Sequence, residues 1–143
     1  MIESDLKITV DEAAIAALPR NSALDELRAA PRKTQNLVSI YYDTADFALV
    51  SAGIALRLRK VGRKWVQTVK RKSGAGETHG LFSNLEVERD APGGRLVLDG
   101  PDEQGVYAAI SEAVGDAPLE PVFETRVRRI TDLLRAPSGE VEL

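Results

Sequence analysis

The sequence predicts an α+β domain built on antiparallel hairpins, with helices inserted between the strands. Apolar and charged residues alternate over residues 54–61 and 64–72, and Gly62-Arg63 between them is typical of a hairpin turn. Segments with helical spacing, such as residues 101–114, lie between the predicted strands. The 143 residues contain no repeat or interdomain linker, so we expect a single domain spanning residues 1–143.

The first third of the chain predicts strands at both ends with two short helices between them. Residues 2–10 alternate in polarity, as a half-buried strand does. A capping box within residues 9–12 starts a helix, and Pro19 and Pro31 each terminate one. We therefore expect a strand at 2–10, helices at 13–18 and about 22–30, and a strand at 37–42, where β-branched and aromatic residues cluster.

The middle of the chain predicts a helix followed by the hairpin. Asp43-Thr44 suits a turn and a helix cap, so a short helix is expected at residues 45–52, with Gly53 as its left-handed end. Residues 73–80 form a polar, glycine-rich segment that predicts a loop. It contains the only histidine, His79, which we interpret as a solvated side chain.

The last third predicts alternating strands and one longer helix. The expected elements are a strand at 84–90, a break at 92–94, an amphipathic helix at 101–114, a strand at 122–134, a turn at 137–139 and a strand from residue 140.

Composition excludes several kinds of function. With no cysteine and one histidine, the chain cannot form a disulfide, a thiolate metal site or a multi-histidine metal cluster. A net charge of −3 and 5% aromatic residues argue against a specific nucleic-acid partner. No apolar run approaches the ~20 residues that span a bilayer, and the start does not resemble a signal peptide. We therefore expect no membrane association and a cytoplasmic location.

The charged residues on the predicted strands are sorted by sign. The acidic set is Glu3, Asp5, Glu86 and Glu88, and the basic set is Lys7, Arg57, Arg59, Lys70, Arg126 and Arg128. If helices cover the apolar faces of a curled sheet, the charged faces line a cavity. Guanidinium groups bind phosphate in a bidentate manner, and clustered carboxylates bind Mg²⁺ or Mn²⁺. This pattern favours a metal–polyphosphate ligand.

These residues resemble the CYTH superfamily, also called triphosphate tunnel metalloenzymes. Its opening signature, Glu-x-Glu-x-Lys, is matched by Glu3-Ser4-Asp5-Leu6-Lys7, with Asp in the middle position. The resemblance continues in family order through Tyr42-Asp43-Thr44, Ala55-Leu56-Arg57-Leu58-Arg59-Lys60-Val61-Gly62, Trp65-Val66-Gln67-Thr68-Val69-Lys70, Glu86-x-Glu88 and Pro121-Val122-Phe123-Glu124-Thr125-Arg126-Val127-Arg128-Arg129.

The resemblance implies an antiparallel β-barrel that forms a triphosphate tunnel with helices packed outside. It implies hydrolysis of a triphosphate, with inorganic tripolyphosphate as the leading substrate and Mg²⁺ or Mn²⁺ as cofactor. Mapped by position, the catalytic residues are Glu3, Asp5 and Lys7, and the metal ligands are Glu3, Asp5, Glu86 and Glu88. The phosphate-binding residues are Lys7, Arg57, Arg59, Lys70, Arg126 and Arg128.

The sequence also departs from the family pattern. Asp5 is one methylene shorter than Glu, and Asn84-Leu85 stands where relatives often carry Arg-Pro. Family members continue past the position of Leu143 into a hairpin with another acidic strand, so we expect a barrel without its last strands, whose open edge favours a homodimer. Class IV adenylyl cyclase activity, thiamine triphosphatase activity and non-catalytic polyphosphate or nucleotide binding are the alternatives.

Overall fold

The computed structural model describes residues 2–72 and 81–143, with backbone only for residues 2–5 and 81–84. The strands are β1 (Ile2–Leu6), β2 (Lys33–Asp43), β3 (Ile54–Val61), β4 (Lys64–Lys72), β5 (Leu81–Asp90), β6 (Glu120–Thr131), β7 (Leu133–Ala136) and β8 (Gly139–Glu142). The α-helices are α1 (Glu12–Ala17), α2 (Ser22–Leu27), α3 (Ala48–Ser51) and α4 (Val106–Val114), with short 3₁₀ turns at Leu18–Arg20 and Pro92–Gly94.

The central hairpin agrees with the sequence prediction. Strands β3 and β4 have the predicted bounds, and Val61 pairs with Lys64 across the turn. Gly62 has a φ of 60° and Gly53 a φ of 71°, the left-handed region in which glycine avoids the Cβ penalty. The predicted loop at residues 73–80, with His79, lies outside the described residues.

Three element bounds differ from the prediction by four residues or more. Strand β1 ends at Leu6 rather than residue 10, and β2 begins at Lys33, four residues early. Helix α4 begins at Val106 rather than residue 101, because its N-cap residue Gly105 has a left-handed backbone with a φ of 67°. The Asp102 carboxylate accepts hydrogen bonds from the backbone N–H groups of Tyr107 and Ala108, at 3.2 and 2.8 Å. Burial raises the pKa of Asp102, but these backbone donors outweigh it and the pKa lies below its usual range.

The strands form a six-stranded sheet in the order β1-β5-β4-β3-β2-β6, and β7 and β8 pair separately. The pairs β1–β5, β5–β4, β4–β3 and β3–β2 are antiparallel. The predicted α+β class with an antiparallel sheet is therefore confirmed. In this strand order β1 and β6 are the two edges, and no pairing among the described residues joins them.

Contacts divide the chain into two compact units, one formed by Met1–Lys7 and Leu37–Arg126 and the other by Ile8–Asn36 and Val127–Leu143. In the first unit, α3 and α4 pack on one face of the sheet. The core consists of Leu49 from α3, Ile54 and Leu56 from β3, Val69 from β4, and Val106, Tyr107 and Ile110 from α4. Because successive side chains of a strand point to opposite faces, the polar residues of these strands lie on the face opposite the core.

Two buried polar residues hold this unit together. Gln67 is fully buried among the core residues, and its amide exchanges hydrogen bonds of 2.7 and 2.8 Å with the backbone of Val97. The Asp43 carboxylate accepts hydrogen bonds from the N–H groups of Thr44, Leu49 and Val50, at 2.7, 2.8 and 3.0 Å. Asp43 therefore caps α3, which is the structural role that its position before Thr44 predicts.

The second unit is held by an ion-pair cluster around Asp132. Arg28 Nε lies 3.0 Å from Asp132 Oδ1, and Arg32 Nη2 lies 2.7 Å from Asp132 Oδ2. Arg28 also pairs with Asp25 on α2. Hydrogen bonds from Arg32 and Arg28 lower the pKa of Asp132 from 3.8 to about 2. These contacts join the segment after α2 to the start of β7.

We expect the Asp132 cluster to stabilise the protein in a pH-dependent manner. Because the pKa of Asp132 is depressed in the folded chain, its contribution is complete above 3.8 and disappears as the pH falls towards about 2. The free energy of unfolding, measured in urea from pH 7 to pH 2, should be higher for the wild type than for Asp132→Asn at neutral pH. The two curves should converge below pH 3.8, and a constant gap would contradict this role.

Within the described residues, no helix is long and apolar enough to cross a membrane.

Candidate functional site

The face of the sheet opposite α3 and α4 carries a charged cluster. On β3, Leu56 and Leu58 are buried on the helix-covered face. The alternating residues Arg57 and Arg59 lie on the opposite face and are partly exposed. Cross-strand partners share a face, so the register extends this surface over the neighbouring strands. The charged face consists of Ser39 and Tyr41 on β2, Arg57 and Arg59 on β3, Thr68 and Lys70 on β4, and Glu86 and Glu88 on β5.

Arg57 lies at the centre of the charged face. Its side chain is 11% exposed, and Nη2 donates a 3.0 Å hydrogen bond to Thr68 Oγ1. The same nitrogen lies 4.0 Å from both Glu86 Oε1 and Glu88 Oε1, an ion-pair distance too long for a hydrogen bond. Arg57 Nε is buried and has no hydrogen-bond partner among the described residues. The guanidinium group therefore retains a donor for an added acceptor.

Lys70 and Glu86 form the shortest ion pair of this face. Lys70 Nζ lies 2.6 Å from Glu86 Oε2, and the two residues are cross-strand partners. The Glu86 side chain is 16% exposed, whereas that of Glu88 is 57% exposed. Thr68 is buried, and its hydroxyl oxygen lies 3.2 Å from a carboxylate oxygen of Glu88. Cations and carboxylates thus neutralise one another across three strands.

Arg59 is held at the β2 side of the face. Its Nε donates a 2.9 Å hydrogen bond to the hydroxyl oxygen of Ser39, which is 1% exposed. Ser39 and Arg59 are cross-strand partners, as are Tyr41 and Arg57. Both guanidinium groups are therefore positioned by short polar side chains of neighbouring strands.

The backbone of β1 places the remaining acidic residues beside this face. Glu3 pairs with Asn84 and Asp5 with Phe82, and these positions alternate in phase with Glu86 and Glu88 on β5. The side chains of Glu3 and Asp5 lie outside the described residues. Lys7 is exposed just after the end of β1.

The two arginines of β6 belong to different compact units. The Arg126 side chain is 80% exposed, and its Nε lies 2.7 Å from Glu124 Oε1. Arg128 is exposed and belongs to the second compact unit.

Three residues of the charged face were not singled out from the sequence. Ser39, Tyr41 and Thr68 are uncharged, so the search for alternating charge passes over them. Thr68 lies two residues before Lys70, and Tyr41 lies two residues after Ser39. Residues two apart on a strand lie on the same face, so the spacing from Lys70 predicts that Thr68 lies on the charged face.

A cavity of about 340 Å³ lies beside Glu88 and is lined by Arg89, Asp102 and Tyr107 among others. Arg89 donates hydrogen bonds to the carbonyl oxygens of Asp99 and Pro101, at 2.7 and 2.8 Å, and its guanidinium carbon lies 3.7 Å from the centre of the Tyr107 ring. The Asp102 carboxylate binds backbone N–H groups of the first turn of α4. Arg89 and Asp102 therefore already hold the segment before α4.

The described side chains hold no group of three or more residues with metal-binding spacing. Glu86 and Glu88 nevertheless offer hard oxygen donors of the kind that Mg²⁺ and Mn²⁺ prefer, and both carboxylates converge on one nitrogen of Arg57. The chemistry of this donor set fits the predicted metal, and the β1 positions of Glu3 and Asp5 lie next to it.

The fold and the charged face define a class of protein: an α+β domain whose antiparallel sheet presents cations and carboxylates together on one face. The CYTH domain family model matches residues 1–143, so the chain belongs to the CYTH family. This confirms the resemblance seen in the sequence. No curated protein sequence matches the chain.

Two solved structures share this fold. A candidate adenylyl cyclase from Hippeastrum, described as having a dominant triphosphatase activity, is 18% identical with a TM-score of 0.55, over 93% of this chain and 68% of that one. A candidate adenylate cyclase from Bacillus halodurans is 16% identical with a TM-score of 0.52, over 99% of this chain and 75% of that one. At these identities the likeness shows the fold alone.

Proposed function

We propose that the charged face binds a triphosphate and that the protein hydrolyses it with a divalent metal, inorganic tripolyphosphate being the simplest substrate. The observation that carries this proposal is the partly buried Arg57 guanidinium, which lies beside two carboxylates and whose Nε has no hydrogen-bond partner among the described residues. Lys70 and Arg59 lie on the same face. Three cations on adjacent strands match a chain of linked phosphates, because each guanidinium or ammonium group can neutralise phosphate oxygens.

The proposal assigns separate roles to cations and carboxylates. Arg57, Arg59 and Lys70 bind phosphate oxygens and neutralise the charge that develops on them during phosphoryl transfer. Glu86 and Glu88, with Glu3 and Asp5, would hold Mg²⁺ or Mn²⁺. When bound there, the metal supplies charge neutralisation and an activated water. Lys7 is proposed as a further catalytic and phosphate-binding residue, and Arg126 and Arg128 as additional phosphate-binding residues.

Ligand binding requires an exchange of ionic partners. Lys70 is engaged with Glu86 at 2.6 Å in the described structure. A phosphate bound by Lys70 competes with Glu86 for this cation, which reduces the positive charge that compensates a partly buried carboxylate. A divalent cation restores the balance of charge. The proposed site therefore favours the metal and the triphosphate together over either one alone.

The activity is tested by phosphate release from tripolyphosphate, thiamine triphosphate and ATP with Mg²⁺ or Mn²⁺. Release from tripolyphosphate supports the proposal. Formation of cyclic AMP from ATP would assign cyclase activity instead. Binding without turnover, detected by calorimetry with and without EDTA, would identify a non-catalytic polyphosphate-binding module. A full-length protein that neither binds nor hydrolyses any of the three overturns the proposal.

Removing the charge of Glu86 should weaken metal binding. We expect Glu86→Gln to lower the affinity for Mg²⁺ by at least about tenfold, the size of effect seen even when outer-shell partners of a metal are removed. Calorimetric titration of Mg²⁺ into the protein measures this. The matched control is Glu103→Gln, which removes an exposed carboxylate from the segment before α4. Equal Mg²⁺ affinity in wild type and Glu86→Gln would remove Glu86 from the metal site.

A cytoplasmic location and a homodimer through the sheet edge stay predictions of the sequence.

A further inference from the structure

An aromatic pair flanks the arginines of the charged face. The rings of Tyr41 on β2 and Phe123 on β6 are stacked, with centroids 4.5 Å apart and an interplanar angle of 16°. Tyr41 is the cross-strand partner of Arg57, so the pair belongs to the charged face. Phe123 is 55% exposed although one side of its ring is covered by Tyr41.

A single exposed phenylalanine is ordinary on a protein surface. Phe123 differs because a second ring holds it nearly parallel and because that ring lies next to a partly buried guanidinium group. None of the phosphate-binding chemistry assigned above uses either ring. Such a pair of rings suits a ligand that carries phosphates at one end and a flat aromatic group at the other. Protein rings stack on any nucleic-acid base, because every base has a π face.

We infer that Tyr41 and Phe123 form a stacking platform for the heteroaromatic group of an organic triphosphate, such as a nucleoside triphosphate. This inference rests on the proposed function, because the phosphates of the same ligand lie on Arg57, Arg59 and Lys70. It adds a substrate class to the one that the charged residues define. Inorganic tripolyphosphate uses the cations alone, whereas an organic triphosphate uses the cations and the platform.

The spacing of the strands agrees with such a ligand. The sheet order places β2 between β3 and β6, so Phe123 is two strands away from Arg57. Neighbouring strands are about 4.8 Å apart, so the backbones of β3 and β6 are about 10 Å apart. A sugar between the base and the first phosphate spans a separation of this order. The platform therefore lies to one side of the cations Arg57, Arg59 and Lys70 and not between them.

The test compares two ligands in one protein. The β,γ-imido analogue of ATP and the imido analogue of tripolyphosphate, which resist hydrolysis at the bridging nitrogen, are titrated calorimetrically in the presence of Mg²⁺. We expect Phe123→Ala to weaken binding of the ATP analogue about tenfold, the lower part of the range for loss of one base–aromatic stack. Binding of the tripolyphosphate analogue should change less than about twofold by the same reasoning.

Two further variants make the result specific. Phe123→Trp keeps a ring and should restore binding of the ATP analogue, which a loss of folding could not explain. Phe47→Ala is the matched control, because Phe47 is 52% exposed but lies at the start of α3, on the helix-covered side. It should leave both affinities unchanged.

The outcomes separate this inference from the proposed function. If the wild type binds the tripolyphosphate analogue and Phe123→Ala leaves the ATP analogue unaffected, the platform is overturned and the phosphate site stands. An equal loss for both ligands, or the same loss in Phe47→Ala, also overturns the platform. If the wild type binds neither analogue, the proposed function fails and the platform fails with it.

Discussion

Arg57→Ala is expected to weaken triphosphate binding by at least about 30-fold, because truncating a partly buried, hydrogen-bonded charge at a binding site costs about 2–5 kcal/mol. Arg57 Nη2 lies 4.0 Å from a carboxylate oxygen of both Glu86 and Glu88, and Arg57 Nε has no hydrogen-bond partner among the described residues. Its loss should change the free energy of unfolding little. Lys70 still neutralises Glu86 at 2.6 Å, and the Thr68 hydroxyl still contacts Glu88.

The measurement is calorimetric binding of the tripolyphosphate analogue together with urea unfolding. Arg63→Ala is the matched control, since it removes an exposed guanidinium from the β3–β4 turn. The variant Arg126→Ala tests whether this exposed arginine also binds the ligand. A loss of affinity as large as that of Arg57→Ala would place Arg126 in the site. Unfolding of Arg57→Ala, or unchanged affinity in a folded variant, would contradict the role given to Arg57.

Asp43→Ala is expected to have the largest effect on stability, a loss of about 3 kcal/mol. Asp43 is 4% exposed and accepts three backbone hydrogen bonds, from Thr44, Leu49 and Val50. Removing a buried acceptor leaves its donors unsatisfied, at about 1–3 kcal/mol for each group. The affected N–H groups belong to the turn before α3 and to its first turn, and Leu49 is part of the core.

Asp43→Asn provides the graded comparison. An amide oxygen can replace Oδ1, which accepts from Thr44 and Leu49, but its nitrogen cannot accept from Val50. We therefore expect a loss of about 1 kcal/mol, from one unsatisfied donor. Urea unfolding at neutral pH measures both variants. Equal stability of Asp43→Ala and the wild type would show that α3 does not depend on this cap.

The sequence predicts best where local rules and packing agree. In the β3–β4 hairpin, alternation, turn chemistry and burial of Leu56 and Leu58 all specify the same register, and the observed bounds match the predicted ones. The charged positions Arg57 and Arg59 follow from that register. A strict period of two fixes the face of every residue once one position is known.

Prediction fails where a contact joins residues that are distant in the chain. Arg32 and Asp132 are 100 positions apart, and nothing near either residue indicates that they pair. The sequence predicts the start of α4 too early, because its pattern does not reveal the left-handed backbone of Gly105 or the contacts of Asp102 with the first turn. The stacked rings of Tyr41 and Phe123 depend on the sheet order, which no local pattern specifies.

The two halves of the charged face differ in how firmly their backbone is held. Strands β3 and β4, which carry Arg57 and Lys70, have neighbours on both sides, whereas β1 pairs with β5 only as far as Leu85 among the described residues. Among the described residues, Glu86 and Glu88 thus lie on a stretch of β5 that forms backbone pairs with β4 alone. Amide hydrogen exchange should be faster there than in β3, because fewer contacts resist local opening. In the proposed site the cations would then fix where an anion sits, and the carboxylates would adjust their position to different metal ions.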